Sequence, residues 1–257
     1  YFEVVIDVFM FLAGVNFLLH FQALRGNLDA YRKNSEFRFY TVVVMIAVLL
    51  LTISLRVSGM GPDTYGQTVR EAVFQTLAIM TTTGFATANF DLWPGFCRLL
   101  LVVLMFFGGC AGSTGGGLKQ IRIYVIFKYI YRSLLRLLRP GLANRIRVGE
   151  ETLDEKLVAN IIGLALLWAV VFGVACVLLM PLLGDTMQNE NWRLVTAVTA
   201  VAATLNNIGP GLAGVGATCN FGWMPLSAKV LLSICMLMGR LEIYSVVVVL
   251  LPLTWRK

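Results

Sequence analysis

The sequence is poor in charge and nearly devoid of histidine. Of its 257 residues, 14% are charged, 58% are apolar, and His20 is the one histidine. Soluble domains usually carry ~25% charged and ~45–50% apolar residues. One soluble core of this size cannot bury so much apolar surface, so a lipid-facing fold is the economical reading. The apolar segments hold no cluster of His, Asp or Glu, which weighs against a membrane enzyme. Cysteine occurs five times, at Cys97, Cys110, Cys176, Cys219 and Cys235, but never as a CxxC pair. That weighs against disulfide or metal roles. The first apolar run has no basic leader and no small-residue cleavage site, so it reads as a membrane helix and not a signal peptide. A chain that starts at Tyr1 instead of Met is expected to have its true N-terminus further upstream. The ending Trp255-Arg256-Lys257 reads as an aromatic and basic interface anchor.

Apolar length is what the sequence does have. Mean hydropathy is +0.78. Spanning ~30 Å of hydrocarbon takes about 20 apolar residues in a helix. Five broad segments qualify: 2–21, 39–57, 97–131, 157–183 and 226–252. Two more, 68–80 and 191–205, are too short to cross and too apolar for ordinary loops. Each leads into a polar, Gly-containing turn, Thr81-Thr82-Thr83-Gly84-Phe85 and Asn206-Asn207-Ile208-Gly209-Pro210. The order long helix, half helix, polar turn, long helix occurs twice, with Gly84 and Gly209 separated by 209 − 84 = 125 residues. Repetition of this kind marks repeated structural units.

The net charge of +7 clusters between the apolar segments, so positive-inside topology accounts for it better than nucleic-acid binding. The stretches 119–156 and 22–38 carry most of the Lys and Arg and are placed on the cytoplasmic side. The polar turns then open to the outside.

A half helix that stops inside the membrane needs its irregular continuation shielded by protein or lining water. Backbone carbonyls of such a turn can replace the hydration shell of a cation, and glycine tolerates the dihedrals this needs. The negative end of the half helix points the same way. The filter residues are therefore Thr82, Thr83, Gly84 and Phe85 in one turn and Asn206, Asn207, Ile208 and Gly209 in the other. Carbonyls of Thr82, Thr83, Asn207 and Ile208 are the ion ligands. The alternative is a pair of re-entrant loops that only pack between helices. Glu71 and Asp91 flank the first turn and would help attract cations.

The run Gly108-Gly109-Cys110-Ala111-Gly112-Ser113-Thr114-Gly115-Gly116-Gly117 interrupts the segment 97–131. Gly costs ~1 kcal/mol relative to Ala in a helix interior, so the helix should break there and obstruct the pathway below Gly84. Close helix packing through small residues is the alternative. The run does not meet the GxxxxGK[ST] phosphate-loop pattern, because Leu118 separates Gly117 from Lys119. Arg240 lies in the middle of the last apolar segment, where a charge is costly and seeks a cavity or a partner. Subtracting the repeat offset places it level with Gly115, so it should meet the Gly-rich run. Pairing with Glu242 is the alternative. His20 reads as an ordinary interfacial residue.

Together, the two turns, the run 108–119, Gly209-Pro210-Gly211 and Gly239-Arg240-Leu241-Glu242 resemble the Trk/Ktr/HKT superfamily of potassium transporters, in its bacterial Trk branch. The resemblance covers essentially the whole chain. It implies an all-α integral membrane fold of M1–pore helix–M2 repeats around a pseudo-fourfold pore. It assigns 1–38 to the end of a preceding repeat, 39–131 to a repeat with an intramembrane gating loop, 132–156 to a basic cytoplasmic linker and 157–257 to a final repeat. In these terms the filter is as above. The gate is Gly108, Gly109, Gly112, Ser113, Thr114, Gly115, Gly116, Gly117 and Arg240. The resemblance further implies potassium as the transported ion and no organic cofactor or nucleic acid. It also implies a homodimer on a cytosolic, TrkA-like nucleotide-binding ring, and a bacterial inner membrane with the C-terminus in the cytoplasm. A sodium-selective or sodium- or proton-coupled symporter of the same fold is the rival.

Overall fold

The structure is a computed structural model that describes residues 1–139, 145–149, 151–184, 186–241 and 243–250. It is helical apart from a short antiparallel hairpin, β1 (Arg147–Val148) and β2 (Glu151–Thr152), among the described residues. The helices are α1 (Phe2–Ala13), α2 (Phe17–Leu24), α3 (Asp29–Lys33), α4 (Ser35–Val57), α5 (Tyr65–Met80), α6 (Gly95–Met105), α7 (Gln120–Leu138), α8 (Glu155–Leu182), α9 (Glu190–Leu205), α10 (Leu226–Arg240) and α11 (Ile243–Leu250).

Among the described residues, only α4 and α8 are unbroken helices long and apolar enough to cross a membrane. Both turn apolar side chains outward. On α4 these are Val42, Met45, Ile46, Leu49 and Ile53, and on α8 they are Leu166, Val170, Val174 and Val177. Their spacing of three or four residues makes a helical stripe suited to hydrocarbon.

The expectation that 2–21 forms one membrane helix is corrected. The chain breaks at Gly14-Val15-Asn16, and α1 meets α2 at 101°. Asn16 caps α2, its side chain accepting from the Leu18 N–H at 2.8 Å. The freed backbone groups pair with the Gly-rich run: Gly14 O accepts from Cys110 N–H at 2.8 Å, and Phe17 N–H donates to Gly112 O at 3.1 Å. A buried break must find such partners. The segment 97–131 divides into α6 and α7 around that run, as expected from its glycines. The last segment also breaks, after Arg240. Glu242 and the ending Trp255-Arg256-Lys257 lie outside the described residues.

The two half helices are α5 and α9, each 16 residues, or about 24 Å at 1.5 Å per residue. They superpose in register, since 190 − 65 and 205 − 80 are both 125. Their last turns are buried on all sides, from Phe74 to Met80 and from Thr199 to Leu205. Polar side chains on a helix buried all round are mostly hydrogen-bonded. Thr76 and Thr204 therefore donate back to the carbonyls of Ala72 and Ala200, both at 2.7 Å. α5 packs against α4, α1 and α6, and α9 against α8 and α10. Phe106 joins the two groups edge-on, 5.1 Å from Trp168 and 5.4 Å from Phe172.

Candidate functional site

Both half helices end in one hydrogen-bond pattern. After α5, Thr82 N–H donates to Ile79 O at 3.1 Å and Thr83 N–H to Ala78 O at 3.0 Å. After α9, Asn207 N–H donates to Thr204 O at 3.0 Å and Ile208 N–H to Ala203 O at 2.8 Å. Every partner is shifted by 125. This is the Schellman helix end, which needs one residue in the left-handed region. That residue is Thr82 in the first turn and Asn207 in the second, each with φ 56°. Asn visits this region readily, but a β-branched Thr does not. Thr82 costs on the order of 1–2 kcal/mol there, which persists only where surrounding contacts fix it.

The turns meet. A Cβ placed on Gly84 would fall 2.0 Å from the Ile208 carbonyl oxygen, and Gly84 itself has φ +74°. Any side chain there would collide with backbone and adopt a strained conformation. The other residues of the two turns surround this approach. Thr83 Oγ1 lies 2.8 Å from Thr81 Oγ1, and the Asn206 amide donates to Ala202 O at 2.8 Å. Asn207 Nδ2 donates to Met236 O at 3.2 Å, and Phe85 is exposed. Two helix C-termini, each carrying roughly half a negative charge, thus end side by side.

The outer side is held by a second set of bonds. The amides of Leu212, Ala213 and Gly214 are taken in turn by Thr199 Oγ1 at 2.9 Å, Asp91 Oδ1 at 2.8 Å and Thr196 Oγ1 at 3.0 Å. Asp91 therefore ties the loop after the first turn to the loop after the second. Burial pushes its carboxyl above the ordinary aspartate value, against the Ala213 N–H and Arg98, which lower it.

The Gly-rich run folds against the inner side of both turns. Its legs close on each other through Gly108 N–H to Leu118 O at 2.9 Å and Gln120 N–H to Gly109 O at 3.1 Å. Gln120 is buried and donates from Nε2 to Gly108 O at 2.8 Å. At the tip, Gly116 N–H donates to Thr82 Oγ1 at 2.8 Å. A Cβ on Gly116 would sit 2.4 Å from Asn206 O, so the run touches the second turn as well. Gly117 faces the Asn206 side chain. Elsewhere Ser113 Oγ donates to Cys110 O, Thr114 Oγ1 to Ala13 O and Lys119 to Gly115 O.

Arg240 reaches the run, but not by the register expected. Beyond the turns the offset grows from 125 to 131. The 3-10 turns Phe90–Leu92 and Phe221–Trp223 differ by 221 − 90 = 131, and so do the helix-capping Pro94 and Pro225. The extra six residues hold the 3-10 turn Ala213–Val215. Arg240 is thus level with Gly109, not Gly115. Yet α6 stops at Met105, level with Met236, whereas α10 runs one turn further. That turn brings Arg240 Nη1 to Thr114 O at 3.4 Å. Gly115, Gly116, Gly117, Gly239 and Arg240 line one cavity of about 220 Å3.

One residue of the site escapes sequence reading. Glu36, 6% exposed, accepts from the amides of Ala111 and Ile121 through one oxygen. In the sequence it is only an acidic residue in the first turn of a helix, where the helix dipole explains it. Its partners lie 75 and 85 positions away, and no local signal announces them. His20 bridges Tyr31 and the Leu12 carbonyl, outside the site.

A family model described as "TrkH: Cation transport protein" matches residues 1–253. The chain is 36% identical over 256 residues to the Trk system potassium uptake protein TrkH of Halomonas elongata, covering 99% of this chain and 51% of that protein. It is 38% identical over 254 residues to the protein of the same name from Salmonella typhimurium, covering 98% and 50%. The crystal structure of the potassium transporter TrkH from Vibrio parahaemolyticus superposes with a TM-score of 0.88 at 36% identity, over 99% of this chain and 53% of that one. The chain therefore spans about half the length of the curated relatives it matches.

Proposed function

Starting from the chain's membership of the TrkH family of cation transport proteins, we propose that it is the gate-bearing half of a protein that takes up potassium across a bacterial inner membrane. The observation that carries this reading is the meeting of two identical helix ends at Gly84 and Ile208. Carbonyls of Thr82, Thr83, Asn207 and Ile208 form half of a selectivity ring. The Gly-rich run below them, with Arg240, is the gate. Potassium is the cargo, and the ion gradient together with the membrane potential drives it; no organic cofactor is required. The relatives are named as potassium uptake proteins and not as enzymes.

The packing supports the repeat boundaries given above. α1 lies against the half helix α5 just as α6 lies against the half helix α9. Both α1 and α6 are followed by a break. The first 38 residues are thus the end of a preceding unit, and 39–131 and 157–257 are two full ones. The stretch 132–156 is the cytoplasmic linker between them. The basic stretch 128–147 is the contact for a TrkA-like nucleotide-binding ring beneath a homodimer.

Reconstituting the full-length protein in liposomes and following rubidium uptake against potassium and sodium competitors tests this. Uptake suppressed by potassium and largely indifferent to sodium is the expected result. Absence of cation flux, or equal competition by sodium, overturns it.

A further inference from the structure

The Gly-rich run is fastened at several points, and one of them is a buried carboxylate from a helix distant in sequence. Glu36 stands in the first turn of α4 and is 6% exposed. Its Oε1 accepts from Ala111 N–H at 2.7 Å and from Ile121 N–H at 3.0 Å. Ala111 lies at the start of the run and Ile121 in the first turn of α7. The first amides of a helix have no partner inside it, and Lys119 gives α7 no side-chain cap. Glu36 therefore caps α7 from another helix and, with the same oxygen, clamps the entry of the run.

The other ties made by the run's own amides to neighbouring segments differ in kind. Gly14 O and Ala13 O take the amides of Cys110 and Thr114, and Thr82 takes that of Gly116. These acceptors are neutral carbonyls or a hydroxyl. Hydrogen bonds to an ionised acceptor are roughly twice as strong as neutral ones. The carboxylate holds both sides of the run's base, so withdrawal of the run past Glu36 breaks two such bonds together.

We infer that Glu36 is the positioning residue that latches the Gly-rich run in its obstructing place. The inference rests on the reading of that run as the gate. It concerns a residue that contacts neither the filter turns nor the ion.

The test uses the full-length protein in liposomes and measures resting rubidium flux for four variants. They are Glu36→Ala, Glu36→Gln, a variant with 110–116 replaced by a shorter linker, and that variant combined with Glu36→Ala. Glu36→Ala is expected to raise flux at least tenfold, since even one hydrogen bond to a charged group contributes about 1.5–3 kcal/mol. Glu36→Gln keeps an oxygen acceptor but loses the charge, so it should raise flux less than Glu36→Ala and more than the parent. In the shortened background Glu36→Ala should add nothing, because residues acting through one element are not additive. Amide exchange at Ala111 and Ile121 should rise in Glu36→Ala and rise less in Glu36→Gln. If Glu36→Ala does not fold, Glu36→Asp, which keeps the charge but shortens the reach, should raise flux in the same direction. Unchanged flux in folded Glu36→Ala or Glu36→Asp overturns the latch. So does an equal rise from Glu36→Ala in the shortened background. Shortening the run without any rise in flux overturns the gate itself, and the latch with it.

Discussion

Thr82 Oγ1 accepts a hydrogen bond from the Gly116 N–H at 2.8 Å, joining a filter turn to the run beneath it. Thr82 is also the residue held at φ 56°. The backbone strain in the first turn and the seating of the run therefore share one side chain. Thr82→Val removes the acceptor and orphans a buried amide, at a cost of about 1–3 kcal/mol. Because that cost falls on the seated run, rubidium flux should rise several-fold, while Thr82→Ser should match the parent. Flux assays on the two variants side by side check this.

Gly116 has no room for a side chain. A Cβ there would lie 2.4 Å from the Asn206 carbonyl oxygen, a backbone atom that cannot move aside alone. Gly116→Ala should prevent the run from seating and increase resting flux, with little change in thermal stability of the half helices. Flux and melting temperature measured on the same preparation separate this from general damage.

Much of this site was legible in the sequence, because its signals are local. A short apolar helix followed by a polar Gly turn, twice, is a pattern of composition and spacing. Six glycines among ten residues announce a broken helix wherever they occur. What was not legible depends on contacts across the fold. The break at Gly14-Val15-Asn16 sits inside an unremarkable apolar run, and it forms because the Gly-rich run supplies partners for its free backbone groups. The register of Arg240 was misjudged because six residues enter after the second turn, and nothing in the apolar pattern marks where an insertion falls. Asp91 looked like a cation attractor and is instead a tie to the Ala213 amide. A carboxylate does either, depending on a loop 122 positions away.

Asp91 makes a pH prediction of unusual sign. Its folded pKa is raised above the ordinary value of 3.8. The folded protein then holds this proton more tightly than the unfolded chain. Its ionisation therefore costs stability, which should fall as pH rises from about 3.8 through the raised folded value and stay flat above it. Asp91→Asn keeps the oxygen that accepts from Ala213 and removes the titration. Its melting temperature should change less over that window than the parent's. Melting curves in detergent between pH 4 and pH 8 check this.

Arg240 donates to Thr114 O and lines the cavity beneath the turns. Arg240→Gln keeps a donor and removes the charge. Rubidium flux should increase, and increase less in Arg240→Lys, which leaves the charge in place. Equal flux in both variants would mean that the charge does not oppose cations.

The central claim is that the cation passes a ring of carbonyls to which the turns at Gly84 and Gly209 contribute. The most direct measurement is sodium competition against rubidium uptake by the full-length protein with Gly84→Ser or Gly209→Ser. At Gly84 a side chain meets the Ile208 carbonyl, and at Gly209 it must adopt φ +132°. Both changes should disturb the same ring of carbonyls and let sodium compete far more strongly than in the parent. Sodium competition unchanged in both folded variants would contradict the assignment of these turns as the filter.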